Sequence, residues 1–232
     1  MTLRELPIIA ETSHLQWGTK WHVRRALAWV NPADLAGVDF LQIESKLPQA
    51  DTTSPEWHKS ATEADWSVNG VYFHSEGGSP AYIKLFIRDL YRGIPKIFWL
   101  TPVITLVVAQ TLAHEVGHHL IAERGYVFTR GERITPSEYE EEMAHRYAQF
   151  VIGKMKRRWY YRLAVRFTKH LAVWHSGQAY VDWKMGNYER AAESWYRSFH
   201  LDPDRVEEVH WYKCAREAAQ TNRSKQDDKF TG

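Results

Sequence analysis

The chain is almost free of cysteine, since Cys214 is the only one among 232 residues. An internal disulfide framework is therefore excluded, and a reducing, cytoplasmic location is expected. A charge excess is also missing, because 30 Lys and Arg stand against 28 Asp and Glu. Such a balance lacks the global field of a nucleic-acid-binding protein, so we expect no nucleic-acid partner. The first residues show no basic region followed by an apolar run, so no secretory signal is visible.

A long uninterrupted apolar run is missing as well. The longest one covers residues 97–113, is broken by Pro102 and leads directly into His114 and Glu115. A membrane-spanning helix needs roughly 20 apolar residues. The run therefore predicts a buried helix, and no transmembrane segment is expected.

Local patterns divide the N-terminal part into short strands and long helices. "VDFLQIES", "SVNGVYFHS" and "AYIKLFIR" are short and rich in β-branched and aromatic residues, which predicts three strands after an opening helix. Thr101 is a suitable N-cap for a helix that ends near Gly125. A second helix is predicted to begin at Thr135, with Glu138 completing a capping box. The fold class expected is α+β.

The first long helix carries the sequence "AHEVGHH". His114 and His118 are one turn apart, so both imidazoles leave the same face and can hold one metal ion. Glu115 flanks that face, where it can take a proton from a metal-activated water. Gly117 allows another backbone to come close. His119 points away and is expected beside the ligands or in solvent.

A third ligand must come from elsewhere in the chain. The metzincin pattern is excluded, because Ile121 and Arg124 stand where that class requires glycine and histidine. A glutamate on the following helix is the remaining common solution. Glu138 is explained by the capping box, which leaves Glu140, Glu141 and Glu142.

The segment "EEMAH" resembles the second motif of the gluzincin metallopeptidases, E-x-x-A-D. The resemblance implies a zincin-like domain over residues 1–153, a Zn²⁺ cofactor, and hydrolysis of a peptide or protein substrate with Glu115 as general base. It implies Glu141 as the third ligand, with Glu142 as substitute, and Ala144 as the small residue that lets the helices pack closely. The chain departs from the family at His145, where an aspartate is usual. His145, Tyr139 and Tyr147 are candidates for orienting a ligand or stabilising the transition state.

The resemblance extends to the strand before the zinc helix. In zincin folds that strand is a sheet edge along the cleft, and substrates pair with it. "SPAYIKLFIR" is similar in placement, which implies a substrate-binding edge at Tyr82, Lys84 and Phe86. The alternative is an ordinary half-buried strand.

Residues 154–220 are expected to form an all-helical extension, followed by a disordered tail at 221–232. The first helix of the extension has an apolar row beside a row of arginines, and we expect the apolar row to be packed against the rest of the protein. The alternative is that this helix is a basic amphipathic helix that binds membrane surfaces or acidic partners. The apolar row consists of Trp159, Leu163, Phe167 and Leu171.

The segment that follows resembles a tetratricopeptide unit. Residues of suitable size stand at the small and large positions of that repeat: Gly186, Tyr188, Ala191, Trp195, Ser198 and Pro203. The resemblance implies a possible docking site for a protein partner. An alternative function is therefore a non-proteolytic, zinc-containing regulatory module that binds its partner through these helices.

Overall fold

The computed structural model divides the chain into two compact units, Met1–Ala164 and Val165–Gly232. The predicted division lay earlier, at residue 153. The structure describes residues 6–10, 18–44, 70–73, 75, 80–91, 93–99, 101–124 and 136–230.

The first unit is α+β, as the sequence predicted. The opening helix and the three predicted strands are all present, together with a three-residue strand at the start that was not predicted. The predicted caps Gly125 and Thr135 lie outside the described residues, as does the side chain of Glu138. In chain order the elements are β1 (Ile8–Ala10), α1 (Thr19–Leu27), a 3₁₀ turn (Pro32–Leu35), β2 (Phe40–Glu44), β3 (Gly70–Phe73), β4 (Tyr82–Phe86), α2 (Ile87–Leu90), a second 3₁₀ turn (Lys96–Phe98), α3 (Pro102–Arg124) and α4 (Pro136–Met155).

The four strands form one sheet in the order β1-β2-β4-β3. β2 is parallel to both β1 and β4, whereas β3 runs antiparallel to β4 and pairs Tyr72 with Ile83. Alternate residues of β2 and β4 are fully buried, which places one face of the sheet in the core: Leu41, Ile43, Ile83 and Leu85.

The expected substrate edge at β4 is wrong. β4 is bonded to β2 on one side and to β3 on the other, so its backbone groups have partners along both edges. Tyr82 stacks between Phe40 and Phe73, and Lys84 forms an ion pair with Glu44 at 2.7 Å. Phe86 is fully buried. Among the described strands, β3 is the one that ends the sheet beside β4.

Helix α3 lies at the centre of the first unit. It packs against α1, α4, β3 and β4. Thr101 caps it as predicted, because its Oγ1 accepts a hydrogen bond from the Val103 N–H at 3.3 Å. The first half of the helix is apolar all round, which suits an element covered on several sides. Its buried residues include Val103, Ile104, Leu106, Val107, Val108, Ala109, Leu112, Ala113 and Val116. In the part of the chain that is described, no helix has the length and apolarity to cross a bilayer.

A buried histidine joins α1 to α3. His22 is inaccessible to solvent, and its Nε2 lies 2.8 Å from the carbonyl oxygen of Trp99. A carbonyl only accepts, so Nε2 carries the proton and Nδ1 accepts from the Thr105 hydroxyl at 2.8 Å. Both ring nitrogens are thus satisfied by a neutral imidazole.

Helix α5 (Trp159–Lys184) begins in the first unit and continues into the second, which also contains α6 (Tyr188–Leu201) and α7 (Glu207–Phe230). Gly186 ends α5 with φ of +76°, while the Asn187 N–H bonds to the Asp182 carbonyl at 2.9 Å in a Schellman-type cap. α7 runs to Phe230, through most of the segment expected to be disordered. The core of this unit comprises Ala179, Ala191, Ala192, Trp195 and Ala215.

The apolar row predicted to be packed on α5 is packed only in part, since Phe167 and Leu171 are half-buried and the fully buried face is a different one. Trp159 and Leu163 are 65% and 52% exposed. The buried face is made mainly of small side chains, which allow close backbone approach: the Ser198 hydroxyl donates to the Ala172 carbonyl at 2.7 Å. Its residues are Tyr161, Ala164, Thr168, Ala172, His175 and Ala179.

Candidate metal centre

Three side chains from two helices converge at one point on the surface of α3. Nε2 of His114 lies 3.2 Å from Nε2 of His118. On α4, Oε2 of Glu141 lies 3.3 Å from His114 Nε2, and Oε1 of the same side chain lies 3.4 Å from His118 Nε2. This group can hold a metal ion.

The spacing of the two histidine nitrogens is close to what a small tetrahedral ion requires. Donor atoms that lie 2.0–2.1 Å from one ion at tetrahedral angles are roughly 3.3–3.4 Å apart. The two histidine nitrogens are 3.2 Å apart, and Glu141 faces each of them with a different carboxylate oxygen, at 3.3 and 3.4 Å. With one donor atom from each residue, the three atoms lie within 4.8 Å of one another. Two imidazole nitrogens and a carboxylate oxygen are also a donor set that suits zinc.

The approach of Glu141 depends on contact between the backbones of α3 and α4. A Cβ placed on Gly117 would lie 2.5 Å from the Cα of Ala144. The expectation that Gly117 and Ala144 are small residues that let the two helices pack closely is therefore confirmed. The neighbouring Glu142 forms an ion pair with Arg146 instead, so the structure places Glu141 in the cluster.

The negative charge of Glu141 and positive charge on the histidines stabilise one another. Burial raises the pKa of Glu141, but hydrogen bonds from His114 and His118 outweigh it and hold the pKa well below its ordinary value. Burial lowers the pKa of His118, but its hydrogen bond to Glu141 and the negative charge of Glu115 leave it above the ordinary value. The site therefore keeps Glu141 ionised and favours positive charge between the three side chains.

Glu115 is buried beside the cluster, with only 5% of its surface exposed. Burial raises its pKa, against the opposing effects of His114 and His118. The backbone of β3 accounts for this burial: Tyr72 hydrogen-bonds to Glu115 through its backbone, and a Cβ on Gly70 would lie 2.9 Å from the Cγ of Glu115. The expected position of Glu115 at the flank of the cluster is thus explained by close contact with a strand.

The other candidates have different neighbours. The Tyr147 hydroxyl donates to Asp34 at 2.7 Å, which links α4 to the first 3₁₀ turn. His145 Nε2 lies 2.9 Å from Gln149 on the same helix. The Tyr139 hydroxyl oxygen is buried. Among the described residues, His145 does not belong to the group of possible ligands.

His119 is a buried structural residue rather than a solvent-facing one. Its Nε2 donates to the Ala36 carbonyl at 2.8 Å, so Nδ1 accepts from the Tyr72 hydroxyl at 2.9 Å. Tyr72 thereby contacts two consecutive turns of α3, at Glu115 and at His119. These bonds hold β3 against the helix.

Sequence reasoning missed the contribution of β3. A glycine inside a strand pattern is a signal of close backbone approach, and Gly70 in "SVNGVYF" carried it. Asp34 offered no comparable signal, because its partner Tyr147 is distant in sequence. The comparisons of this chain with protein-family models, with curated proteins and with solved structures found no match.

Proposed function

We propose that this protein is a zinc-dependent metalloendopeptidase of the gluzincin type. The observation that carries the proposal is the triangle formed by His114, His118 and Glu141, next to the buried carboxylate of Glu115 on the same helix. A metal site that serves only structure has no use for such a neighbouring base.

The number of ligands also favours catalysis. Structural zinc sites are usually closed by four protein side chains, whereas catalytic sites use three and leave one position open. Among the described residues, the cluster contains three possible ligands. The side chain of Glu141 is 54% exposed, so solvent and substrate can reach this side of the cluster.

A Zn²⁺ ion bound there supplies Lewis acidity, which lowers the pKa of a water molecule and polarises a carbonyl group. Glu115 would accept at its carboxylate the proton that the attacking water loses as the new C–O bond forms. It then gives the proton to the amide nitrogen as the C–N bond breaks. Because burial raises the pKa of Glu115, its carboxylate is a stronger base than one in water.

The substrate proposed is a peptide in extended conformation. β3 contacts Glu115 directly and stands at the end of the described strand order, whereas β4 lies inside the sheet. We place the substrate backbone alongside β3, the strand that ends the described sheet next to Glu115, where an extended peptide would lie parallel to the strand direction. This position replaces the one expected from the sequence.

The test is a digestion of a mixed peptide library, in which new termini are identified by mass spectrometry. We expect cleavage by the zinc-loaded protein and none after treatment with a chelator, with recovery when zinc is restored. A zinc-loaded protein that produces no new termini in such a library would count against peptidase activity. It would favour the non-proteolytic regulatory module.

A further inference from the structure

A second feature of the first unit lies at the turn between α4 and α5. A cavity of about 650 Å³ is lined there by Trp29 and Asn31, from the segment between α1 and the first 3₁₀ turn, and by Lys154, Arg157 and Arg158. The turn has a defined structure, since the Arg158 N–H bonds to the Met155 carbonyl at 3.0 Å. We call the cavity and its bordering residues 150–163 the basic corner.

The basic corner is unusually positive for a chain with a balanced composition. From residue 150 to residue 163 the sequence has no Asp or Glu, and it has five basic residues: Lys154, Lys156, Arg157, Arg158 and Arg162. Within the described part of the chain, no carboxylate forms an ion pair with the three cations that line the cavity. Such an array attracts negative charge.

Large apolar side chains stand among these cations. Phe150, Trp159 and Leu163 are 56%, 65% and 52% exposed. Trp159 and Leu163 are one turn apart on α5, beside the row of Arg158 and Arg162. Phe150 is linked to the cavity by Lys154, whose ammonium lies 4.2 Å from the centre of the phenyl ring.

The corner is held on a rigid base. Tyr161 is almost fully buried and packs edge to face on Trp29, with ring centres 5.7 Å apart. Met155 is fully buried on the other side of the turn. The turn that carries the cations and the apolar side chains is therefore already ordered. Binding of a partner would not cost the conformational entropy of ordering it.

We propose that the basic corner docks on a membrane surface that contains anionic phospholipids. The cations contact lipid phosphates, with one headgroup in the cavity, while Trp159, Leu163 and Phe150 enter the headgroup boundary. Nucleic acid fits less well: Leu163 cannot stack on a base, and Lys154 already covers a face of Phe150. The proposal goes beyond the peptidase function and does not depend on a bound metal.

The test is co-sedimentation of the full chain with vesicles of phosphatidylcholine alone, or with about 30% phosphatidylglycerol. We expect binding to the anionic vesicles only, weakened by salt. The variant Arg157→Gln/Arg158→Gln should partition about 30-fold less, because each basic side chain near such a surface contributes about fivefold. A matched control is Lys20→Gln/Lys96→Gln, which removes equal charge from exposed positions outside the basic corner and should bind as the unmodified protein does.

A third variant separates a membrane from other anions. Trp159→Ala/Leu163→Ala keeps every charge and should reduce binding to anionic vesicles at least about tenfold. Both side chains are exposed, so the variant should fold, and circular dichroism checks this. The proposal is overturned if the anionic vesicles are not bound, if the two glutamine variants bind equally, or if the alanine variant binds unchanged. Binding of a DNA duplex without vesicle binding would also overturn it.

Discussion

The Cα of Ala144 lies so close to Gly117 that a Cβ on the glycine would be 2.5 Å away from it. Helices α3 and α4 therefore touch backbone to backbone one residue before His118 and three residues after Glu141. The distance between the two histidines is a property of α3 alone. The distance from the histidines to Glu141 depends on this contact.

Replacing Gly117 by alanine should push α4 away from α3. Overpacking of this kind costs about 1–3 kcal/mol of folding stability, and it should also move Glu141 from the histidines and weaken metal binding. Thermal melting and zinc titration measure the two effects. A variant with unchanged stability and unchanged zinc affinity would contradict the close contact.

Gly153→Ala is the matched control for that substitution. Gly153 also lies in a helix, but an added Cβ would meet nothing within 4 Å. Alanine should stabilise α4 there by about 0.5–1 kcal/mol, because glycine loses more backbone entropy in a helix. Zinc affinity should stay the same.

His118→Ala should lose the metal. The substitution removes one of three donors, so the zinc content should fall from about one ion per chain to near zero, and stability should fall with it because metal binding is coupled to folding. Elemental analysis of protein never exposed to chelator measures the content. His145→Ala serves as control, because His145 lies beside Gln149 and should leave the content unchanged. The reverse pattern would show that the ligand set is wrong.

Glu115→Gln should separate proton transfer from metal binding. The amide keeps the size of the side chain but cannot accept the proton, so peptide hydrolysis should fall by ~10²–10⁴-fold. Zinc content and melting temperature should barely change, since all three ligands remain. If both proteins hold zinc and give the same cleavage products, Glu115 is not the base.

The pH dependence of stability should contain a contribution from His22. Burial lowers the pKa of His22 below its ordinary value of 6.5, against the hydrogen bond to Trp99. As the pH falls below about 6.5, the unfolded chain takes up a proton that the native state resists. This contribution therefore destabilises the fold at acid pH and vanishes above neutrality.

The comparison that isolates this effect uses metal-free protein, with His22→Gln measured beside the unmodified chain. The variant should be less stable at neutral pH, because it loses buried hydrogen bonds, but its melting temperature should fall less steeply between pH values of about 6.5 and 5. Parallel curves would mean that His22 does not titrate as described.

Much of the candidate site could be predicted from local patterns. The spacing of His114 and His118 determines a shared face once the segment is helical, and the cap at Thr101 marks where that helix begins. The alanine at 144 pointed to close helix packing. Glu141 could be selected over Glu142 only through the resemblance to the gluzincins. The two glutamates are consecutive residues of the same helix, and local patterns do not show which of them faces the histidines.

The failures share a physical cause. The sequence of β4 is typical of a half-buried strand, but strand order depends on which segments meet in three dimensions. β2 and β3 pair with β4 on its two sides, so β4 is not the edge that was expected. On α5 the larger apolar side chains suggested the buried face, whereas the structure buries the face with alanines, where backbones come closer.

The sequence by itself determined the long helices of the first unit, three of its four strands and the pair of histidines, because these depend on side chains within a few residues of one another. Only the tertiary structure decided that Glu141 completes the cluster, that β3 covers Glu115, and that the basic corner faces outward. Each of these depends on contact between segments far apart in sequence, whose partners are chosen by the packing of the whole unit rather than by local propensity.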